Sequence, residues 1–448
     1  MFRNSLLTCV AVLYACVVSG QDRTHDRKPG RFRAAVVKAD ITPVTPQYMR
    51  GYNPRLSTEV LDHLYHRIVV LDDGRTQFFL ISSDVVGIPS PEYNRVTAIL
   101  KKKYGIEPMN VWWSTTHTHS APEVATQFSG IPFPSMANRS QLAAGHQADT
   151  AYTAMFEKKL IDGIGEARSK LQPARFGIGW GFSQANINRR GIDADGKASL
   201  GLNPDGETDR RIGLIRIDKE DGHPLVLIAN YAMHGTVLGQ ESTKISGDAP
   251  GVVAEYVEQR VGAPMLYING AAGNMAPIYS VYANERAGHL GEFRVLLGDK
   301  ILEANRKIYS TTDTISLALA SIIVETPRRA DLGWSRDLAE YTRTTGSGTN
   351  LVRLPIRFMK INEDIAIWSA PVEMFCEISN GIRARSPFAY TFYYGYTNGS
   401  LGYMPAAEGF EHGGYEPSVS PFTPAAEKDV TEAVLGYLQG ELKSRMVH

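Results

Sequence analysis

The sequence predicts an α/β fold, a single large domain in which mixed β-sheets are flanked by helices. Three observations support this prediction. Predicted strands and helices are interspersed along all 448 residues. No internal repeat and no obvious linker divides the chain. Hydrophobic residues make up 43% and charged residues 21%, which is ordinary for a soluble globular protein. We therefore expect one domain over residues 32–448.

The charge balance excludes one class of partner. Lys+Arg and Asp+Glu both number 47, so the formal net charge is zero. Proteins that bind nucleic acid usually carry a basic excess, and this chain has none. We expect a small-molecule or lipid substrate rather than a nucleic acid, and the sequence does not indicate an oligomeric state.

The N-terminus has the layout of a secretory signal. Arg3 precedes an apolar run from Leu6 to Val18, and small residues follow it. We predict a signal peptide over residues 1–20 and a disordered leader over 21–31. The run is too short to span a bilayer, and no later segment approaches a transmembrane span. The protein is therefore expected to be secreted or periplasmic; lipoprotein anchoring at Cys16 is a weaker alternative.

The pattern of apolar and turn-forming residues predicts the following elements. In the first half these are strands at 32–41, 66–71, 77–82, 111–116, 212–217, 224–232 and 265–269, and helices at 90–103, 148–171, 249–261 and 286–308. In the second half they are strands at 315–325, 352–361, 364–369 and 390–395, and a helix at 425–446. Two long loops are predicted at 121–145 and 186–209, and loops of this length are usually functional or disordered.

A histidine triplet ends one of these strands. The strand that begins at Val111 ends in His117-Thr118-His119 and is stopped by Pro122. Residues two apart in a strand share a face, so His117 and His119 should project together at the strand end, where ligand crevices form. Two neutral imidazoles suit zinc. The alternative is that both histidines only cap backbone groups.

Two further strand ends carry candidate ligands. His234 follows the strand 224–232, and Gly235 would permit a sharp backbone turn there. Glu373 follows the strand 364–369, and a buried carboxylate needs a partner or a metal. The alternatives are a structural histidine and a glutamate at a helix start.

A glycine-rich turn offers backbone amides. Gly270 to Asn274 lacks the spacing of phosphate-binding and dinucleotide-binding loops, but its amides could line a reacting oxyanion. The chain contains neither Gly-x-Ser-x-Gly nor His-Glu-x-x-His, which gives no support for an α/β serine hydrolase or a common zinc protease.

The motifs, taken in order, give a family resemblance. They are Asp40-Ile41-Thr42-Pro43, Ser83-Asp84, Thr116-His117-Thr118-His119-Ser120-Ala121-Pro122, His234-Gly235-Thr236, Ile245-Ser246-Gly247-Asp248 and Gly402-Tyr403. With them the chain resembles the neutral/alkaline non-lysosomal ceramidase family, zinc amidases that split ceramide into sphingosine and a fatty acid. The resemblance implies the fold of that family's catalytic domain.

The resemblance also implies a site. One Zn²⁺ would be held by His117, His234, Glu373 and Tyr403. Tyrosine has a free pKa near 10, so the ion would have to stabilise its phenolate. Arg189 or Arg190 falls where the family has a pocket arginine.

We assign two further roles. His119 shares a face with His117 and has a pKa suited to neutral pH, so it is the expected proton-transfer residue. Asn274 or the amides of Gly270–Gly273 would stabilise the oxyanion.

Two departures separate the chain from that family. Ala276, in Gly273-Asn274-Met275-Ala276-Pro277, stands where the family has a serine, so no serine chemistry can run from that position. We also expect no counterpart of the family's C-terminal immunoglobulin-like domain. The resemblance therefore predicts the metal site more firmly than it predicts ceramide as the substrate.

The predicted function is an exported zinc-dependent hydrolase that cleaves an amide by a metal-activated water. One alternative is a zinc hydrolase of an ester or a glycan-derived substrate. The other is a non-catalytic binding protein that contains a metal.

Overall fold

A computed structural model describes residues 30–125, 150–279 and 288–445 of the chain. The strands, in chain order, are β1 (Arg33–Asp40), β2 (Tyr48–Met49), β3 (Arg55–Leu56), β4 (Glu59–Val60), β5 (Tyr65–Asp72), β6 (Gln77–Ser83), β7 (Val111–Thr115), β8 (Gln172–Phe182), β9 (Asn186–Ile192), β10 (Ala198–Asn203), β11 (Arg211–Lys219), β12 (Pro224–Tyr231), β13 (Lys244–Ile245), β14 (Met265–Asn269), β15 (Met275–Pro277), β16 (Leu317–Pro327), β17 (Thr342–Thr344), β18 (Asn350–Ile361), β19 (Ile365–Ser369), β20 (Glu373–Met374), β21 (Tyr390–Tyr394) and β22 (Tyr403–Met404).

The α-helices are α1 (Ser90–Tyr104), α2 (Thr150–Ser169), α3 (Asp248–Val261), α4 (Asp299–Arg306), α5 (Cys376–Arg385), α6 (Ala407–His412), α7 (Tyr415–Val419) and α8 (Ala425–Arg445). Short 3₁₀-helices lie at Pro108–Asn110, Gly288–Glu292 and Arg336–Tyr341, and a π-helical turn at Arg294–Gly298.

Two large sheets organise the molecule. The first has eight strands in the order β14-β12-β11-β8-β1-β5-β6-β7, and the second is built from β16-β18-β19-β21 with β17 also paired to β18. Most neighbours are antiparallel, but β6 and β7, β12 and β14, and β19 and β21 pair in parallel. Both sheets are therefore mixed, as predicted.

The two sheets pack face to face. One face of the first sheet, with Val69 and Leu71 of β5, meets Met359 and Ile361 of β18 across a shared apolar core. Because side chains alternate along a strand, Ile68 of the same β5 points to the opposite face, where helices cover it.

Helices cover both outer faces. The helices α1 and α2 pack on one part of the first sheet, and α3 and α4 pack on another. The second sheet is covered by α5 and α8. The result is a four-layer arrangement of helices, sheet, sheet and helices, which confirms the predicted fold class. The predicted domain boundaries remain a prediction, because only residues 30 and 31 of the predicted leader are among the described residues.

Two predicted elements were wrong. The segment 186–209 is not a loop: β9 and β10 form an antiparallel hairpin, in which Leu200 pairs with Arg190. The single helix expected at 286–308 is broken, within its described part, into a 3₁₀-helix, a π-helical turn and α4. Most of the loop predicted at 121–145 lies outside the described residues.

Candidate metal centre

Two strand-end segments carry the histidines and lie side by side. His117 and His119 follow β7, and His234 follows β12. Thr118 and Gly235 form a parallel bridge, and the His119 amide donates to the Gly235 carbonyl at 2.8 Å. This pairing brings histidines that are more than a hundred positions apart in sequence into one buried cluster.

Gly235 is needed for this close approach. A Cβ atom at this position would lie 2.7 Å from Thr118 Cα and 2.9 Å from the His117 carbonyl oxygen. The residue does not adopt the left-handed backbone region, so the glycine is required by the contact with Thr118 rather than by the sharp turn that the sequence indicated.

The tautomers of two histidines are fixed by backbone carbonyls. His117 Nδ1 lies 2.5 Å from the Val86 carbonyl oxygen, and His234 Nδ1 lies 3.1 Å from that of Met275. A carbonyl oxygen can only accept, so both Nδ1 atoms donate and both Nε2 atoms carry a lone pair. This is the second-shell arrangement that orients metal-ligating imidazoles.

The free lone pairs converge on a carboxylate. Glu373 Oε2 lies 3.3 Å from His117 Nε2 and 3.4 Å from His234 Nε2. Neither His234 Nε2 nor Glu373 Oε2 has a hydrogen-bond partner within the described ranges. Three buried acceptors facing one another are unfavourable unless a cation lies between them. The nitrogen and oxygen donors therefore fit a divalent ion such as zinc.

Charge and burial set the protonation of these groups. Burial, together with the nearby positive charge of Arg189, lowers the pKa of His234 to about 3. Burial raises the pKa of Glu373, but the imidazoles of His117 and His234 outweigh it and bring that pKa well below its ordinary value. A neutral imidazole beside an ionised carboxylate is the state that binds a metal.

His119 adjoins the centre through its Nε2, which lies 3.2 Å from His117 Nε2. Its buried Nδ1 has no partner among residues whose placement is described. Burial and the two neighbouring histidines lower its pKa well below the ordinary value, so it is neutral. The ligand atoms of all three histidines lie within 4.8 Å of one another. The predicted role of His119 in proton transfer, rather than in metal binding, stays a prediction.

Tyr403 is placed beside the centre by a two-stranded parallel pairing. The pairing of β20 with β22 sets it opposite Glu373, and Arg189 Nη2 donates to its hydroxyl at 3.1 Å. Burial and the charge of Glu373 raise its pKa well above 10, so its phenolate would need a cation close by. Its role as fourth ligand remains a prediction.

Arg189, not Arg190, is the arginine that faces the centre. Glu416 is shared between them, at 2.9 Å from Arg189 Nε and 2.7 Å from Arg190 Nη1. Arg190 also donates to the carbonyls of Gly409 and Gly413, which ties it to the scaffold. Of the two candidate pocket arginines, Arg189 is therefore the one whose position fits.

Asn274 and two of the four predicted backbone amides are engaged elsewhere in this structure. Asn274 Nδ2 donates to both carboxylate oxygens of Glu377 at 2.8 Å, and its Oδ1 accepts from the Cys376 amide at 3.0 Å. The amides of Gly270 and Gly273 donate to backbone carbonyls. These groups brace the loop behind Glu373, and their predicted contact with an oxyanion has no support in this geometry.

Tyr396 is an aromatic residue of the centre that the sequence pattern did not single out. The Tyr396 ring lies 4.3 Å from that of His117, and its buried hydroxyl has no partner in the part of the chain described. Tyr396 follows β21 and Gly395, so the strand-end signal that singled out the histidines could also have found it.

Comparison with known proteins identifies relatives of this chain. Neutral ceramidase B of Dictyostelium discoideum is 25% identical over 262 residues, which cover 56% of this chain and 34% of that protein. The chain thus spans about a third of the length of this relative.

Two solved structures share the fold. A ceramidase complexed with C2 gives a TM-score of 0.72 at 18% identity, covering 93% of this chain and 76% of its own. Neutral ceramidase from Pseudomonas aeruginosa gives 0.68 at 19% identity, covering 93% and 75%. The family profile described as neutral/alkaline non-lysosomal ceramidase, N-terminal, matches residues 32–276, more than half of the 448. The chain therefore belongs to the neutral/alkaline non-lysosomal ceramidase family.

Proposed function

We propose that this chain is a zinc-dependent hydrolase that cleaves the amide bond of an N-acyl lipid or a ceramide-like substrate. The observation that carries the proposal is the convergence of two imidazole lone pairs on the Glu373 carboxylate, with no hydrogen available between them. Membership of the ceramidase family supports hydrolysis as the reaction.

His117, His234 and Glu373 would hold the ion, with Tyr403 as a fourth donor. When bound, zinc polarises a substrate carbonyl and activates a water molecule. Arg189, which donates to the Tyr403 hydroxyl, places positive charge beside that phenol and favours its ionised form.

His119 is the expected proton acceptor. Burial keeps its imidazole neutral at pH 7, so a lone pair is available, but the lowered pKa makes His119 a weaker base than the sequence indicated. Two contacts hold it in place: Arg55 Nη2 donates to its carbonyl at 2.5 Å, and the Tyr52 ring lies 4.8 Å away at an angle of 64°.

Ala276 supports a nucleophile that is not a serine. This residue is buried in β15 and carries no hydroxyl, so an acyl group cannot be transferred to it. A mechanism that draws its nucleophile from water needs no side chain at this position.

Zinc analysis combined with a substrate panel tests the proposal. We expect one zinc per purified chain, loss of hydrolysis on chelation and recovery when zinc is returned. The panel contains fluorescent ceramide, N-acyl amino acids, acylated sugars and matched esters. If the protein holds no stoichiometric zinc and His117→Ala changes nothing, the hydrolase proposal fails. If the protein binds zinc but does not cleave ceramide, the proposed ceramide substrate is wrong and the hydrolase proposal stands. If it cleaves only the esters of the panel, the protein is an esterase.

We also propose export, because the apolar run from Leu6 to Val18 has the layout of a signal peptide. No helix within the described ranges combines the length and apolar composition needed to span a bilayer. N-terminal sequencing of the protein recovered outside the cytoplasm should give a chain that starts near residue 21; a start at Met1 would contradict processing.

A further inference from the structure

A cavity lies behind the segments that carry Glu373 and Tyr396. Its volume is about 240 Å³, equal to roughly eight molecules of liquid water, so it suits a small ligand. Ala370 and Pro371, which precede Glu373, line it, as do Thr397 and Asn398, which follow Tyr396.

The topology explains why this cavity is polar. Along β18, Met359 and Ile361 point into the core between the two sheets. The same face continues to Arg357 and Arg353, which line the cavity beside α1. Ser369 of β19 is the cross-strand partner of Arg357 and joins it on that face. The polar residues thus begin at the edge of the core.

Arg357 has no carboxylate partner among the described residues. Its Nη1 donates to the Tyr93 hydroxyl at 2.6 Å and to the carbonyl of Pro108 at 2.7 Å, which leaves Nε and Nη2 without a hydrogen bond there. Of the charged residues that line the cavity, Arg353 and Arg357 are cationic and Glu340 alone is anionic. Arg353 pairs with Glu325, 3.4 Å from its Nε and outside the lining, so Arg357 is the lining cation that has no carboxylate partner within the described ranges.

The other unused polar groups are also donors. Asn398 Oδ1 accepts from the Trp113 amide at 2.8 Å, but its Nδ2 has no partner in the described part of the chain. The Tyr341 hydroxyl accepts from Asn94 at 3.0 Å and donates to no described group. The Ser369 hydroxyl likewise has no described partner. Donors without acceptors around a positive charge are the complement of an anion.

We propose that this cavity binds a small monoanion, a carboxylate with a short apolar body. Its oxygens would accept from Arg357, Asn398 and Tyr341. Ile323, Pro355 and Pro371 supply apolar walls for the rest of the molecule. Glu340, which Asn94 holds at the exposed rim, disfavours a second negative charge on the ligand. This site is separate from the metal centre and does not rest on the proposed function.

Calorimetric titration of the full chain as purified tests the proposal, with butyrate, inorganic phosphate and butylammonium as probes. We expect saturable 1:1 binding of butyrate and none of butylammonium.

Arg357→Gln should weaken butyrate binding by about tenfold or more, since a charge-assisted hydrogen bond is lost. Asn398→Asp should do the same, because it keeps the acceptor for Trp113 and replaces the donor. Arg336→Gln, which removes an exposed arginine from the same neighbourhood, is the matched control and should bind as the unmodified protein does.

The outcomes distinguish a carboxylate from a phosphate as the ligand, and the cavity from the metal centre as the binding site. Binding of phosphate that the same two variants weaken would retain the site and change its ligand. Absence of saturable binding by either anion overturns the proposal. So does butyrate binding that neither variant alters, as a carboxylate on the metal would behave. If Arg357→Gln fails to fold, Asn398→Asp carries the test.

Discussion

The two histidines of the His-Thr-His triplet differ in what holds their rings. His117 Nδ1 is fixed by the Val86 carbonyl, which leaves its Nε2 free for a metal. His119 Nδ1 has no described partner, and only its other nitrogen approaches the centre. We expect His117→Ala to lose both zinc and turnover. His119→Ala should retain zinc and lose about 10²- to 10⁴-fold in kcat, the usual contribution of a general base.

Zinc content per chain and kcat, measured on the same preparations, check this division. His63→Ala, which removes an exposed histidine, is the control and should match the unmodified protein in both. A His119→Ala protein without zinc would show instead that all three histidines bind the ion.

The residues of the site were easier to predict than the contacts that those residues make in the fold. His117, His234 and Glu373 were each found from an apolar strand that ends in a polar side chain, and the structure brings them together. Asn274 shows the limit, because its engagement with Glu377 joins positions 103 apart and no local pattern encodes it. Tyr396 follows a strand in the same way, but a tyrosine is not a usual metal ligand, so the strand-end pattern did not predict it.

At the level of elements, the strands with clear alternation were predicted within a few residues, and the hairpin of β9 and β10 was not. Its Asn, Asp and Gly content is typical of a loop. The structure shows that β9 gains a partner on each side, β10 and β15, and these tertiary pairings outweigh weak local propensity. The arginine beside Tyr403 therefore stands on a paired strand, which gives it a fixed position.

The bridge between the two histidine segments gives a prediction at this scale. Gly235→Ala would press a methyl group against Thr118 Cα and the His117 carbonyl, so the two segments must separate. We expect zinc affinity to fall by about tenfold or more, as found for disturbed outer-shell contacts. Competition with a fluorescent chelator measures this affinity. Gly87→Ala, whose Cβ would meet nothing within 4 Å, is the control; equal zinc affinity in both variants would contradict the bridge's role.

At the scale of the whole molecule, stability depends on how the layers close over buried polar groups. His66 of β5 lies beneath α2, where its Nε2 donates to the Phe156 carbonyl at 3.0 Å. Its Nδ1 accepts from the Ser83 hydroxyl at 2.7 Å. The neutral ring uses both nitrogens in hydrogen bonds. Protonation of Nδ1 would remove its lone pair and so break the hydrogen bond from Ser83. Burial lowers the pKa of His66 to about 4.

This pKa makes the free energy of unfolding depend on pH. An unfolded histidine has a pKa near 6.5, so the unfolded chain takes up the proton first as pH falls. The contribution of His66 is complete above pH 6.5 and is lost between 6.5 and 4. By pH 4.5 the loss amounts to about 2–3 kcal/mol, at 1.36 kcal/mol for each pKa unit. Asp62 and Asp248, whose pKa values burial raises to about 6, act in the opposite direction over part of the same range.

A comparison with His66→Gln isolates the effect of this one histidine, because the aspartates are common to both proteins. Between pH 7 and pH 4.5 the unmodified protein should lose about 2–3 kcal/mol more unfolding free energy than the variant, as measured by urea denaturation. His223→Gln, which removes an exposed histidine from the turn before β12, should follow the unmodified protein. Parallel pH profiles for the unmodified protein and His66→Gln would mean that the pKa of His66 is not lowered in the folded protein.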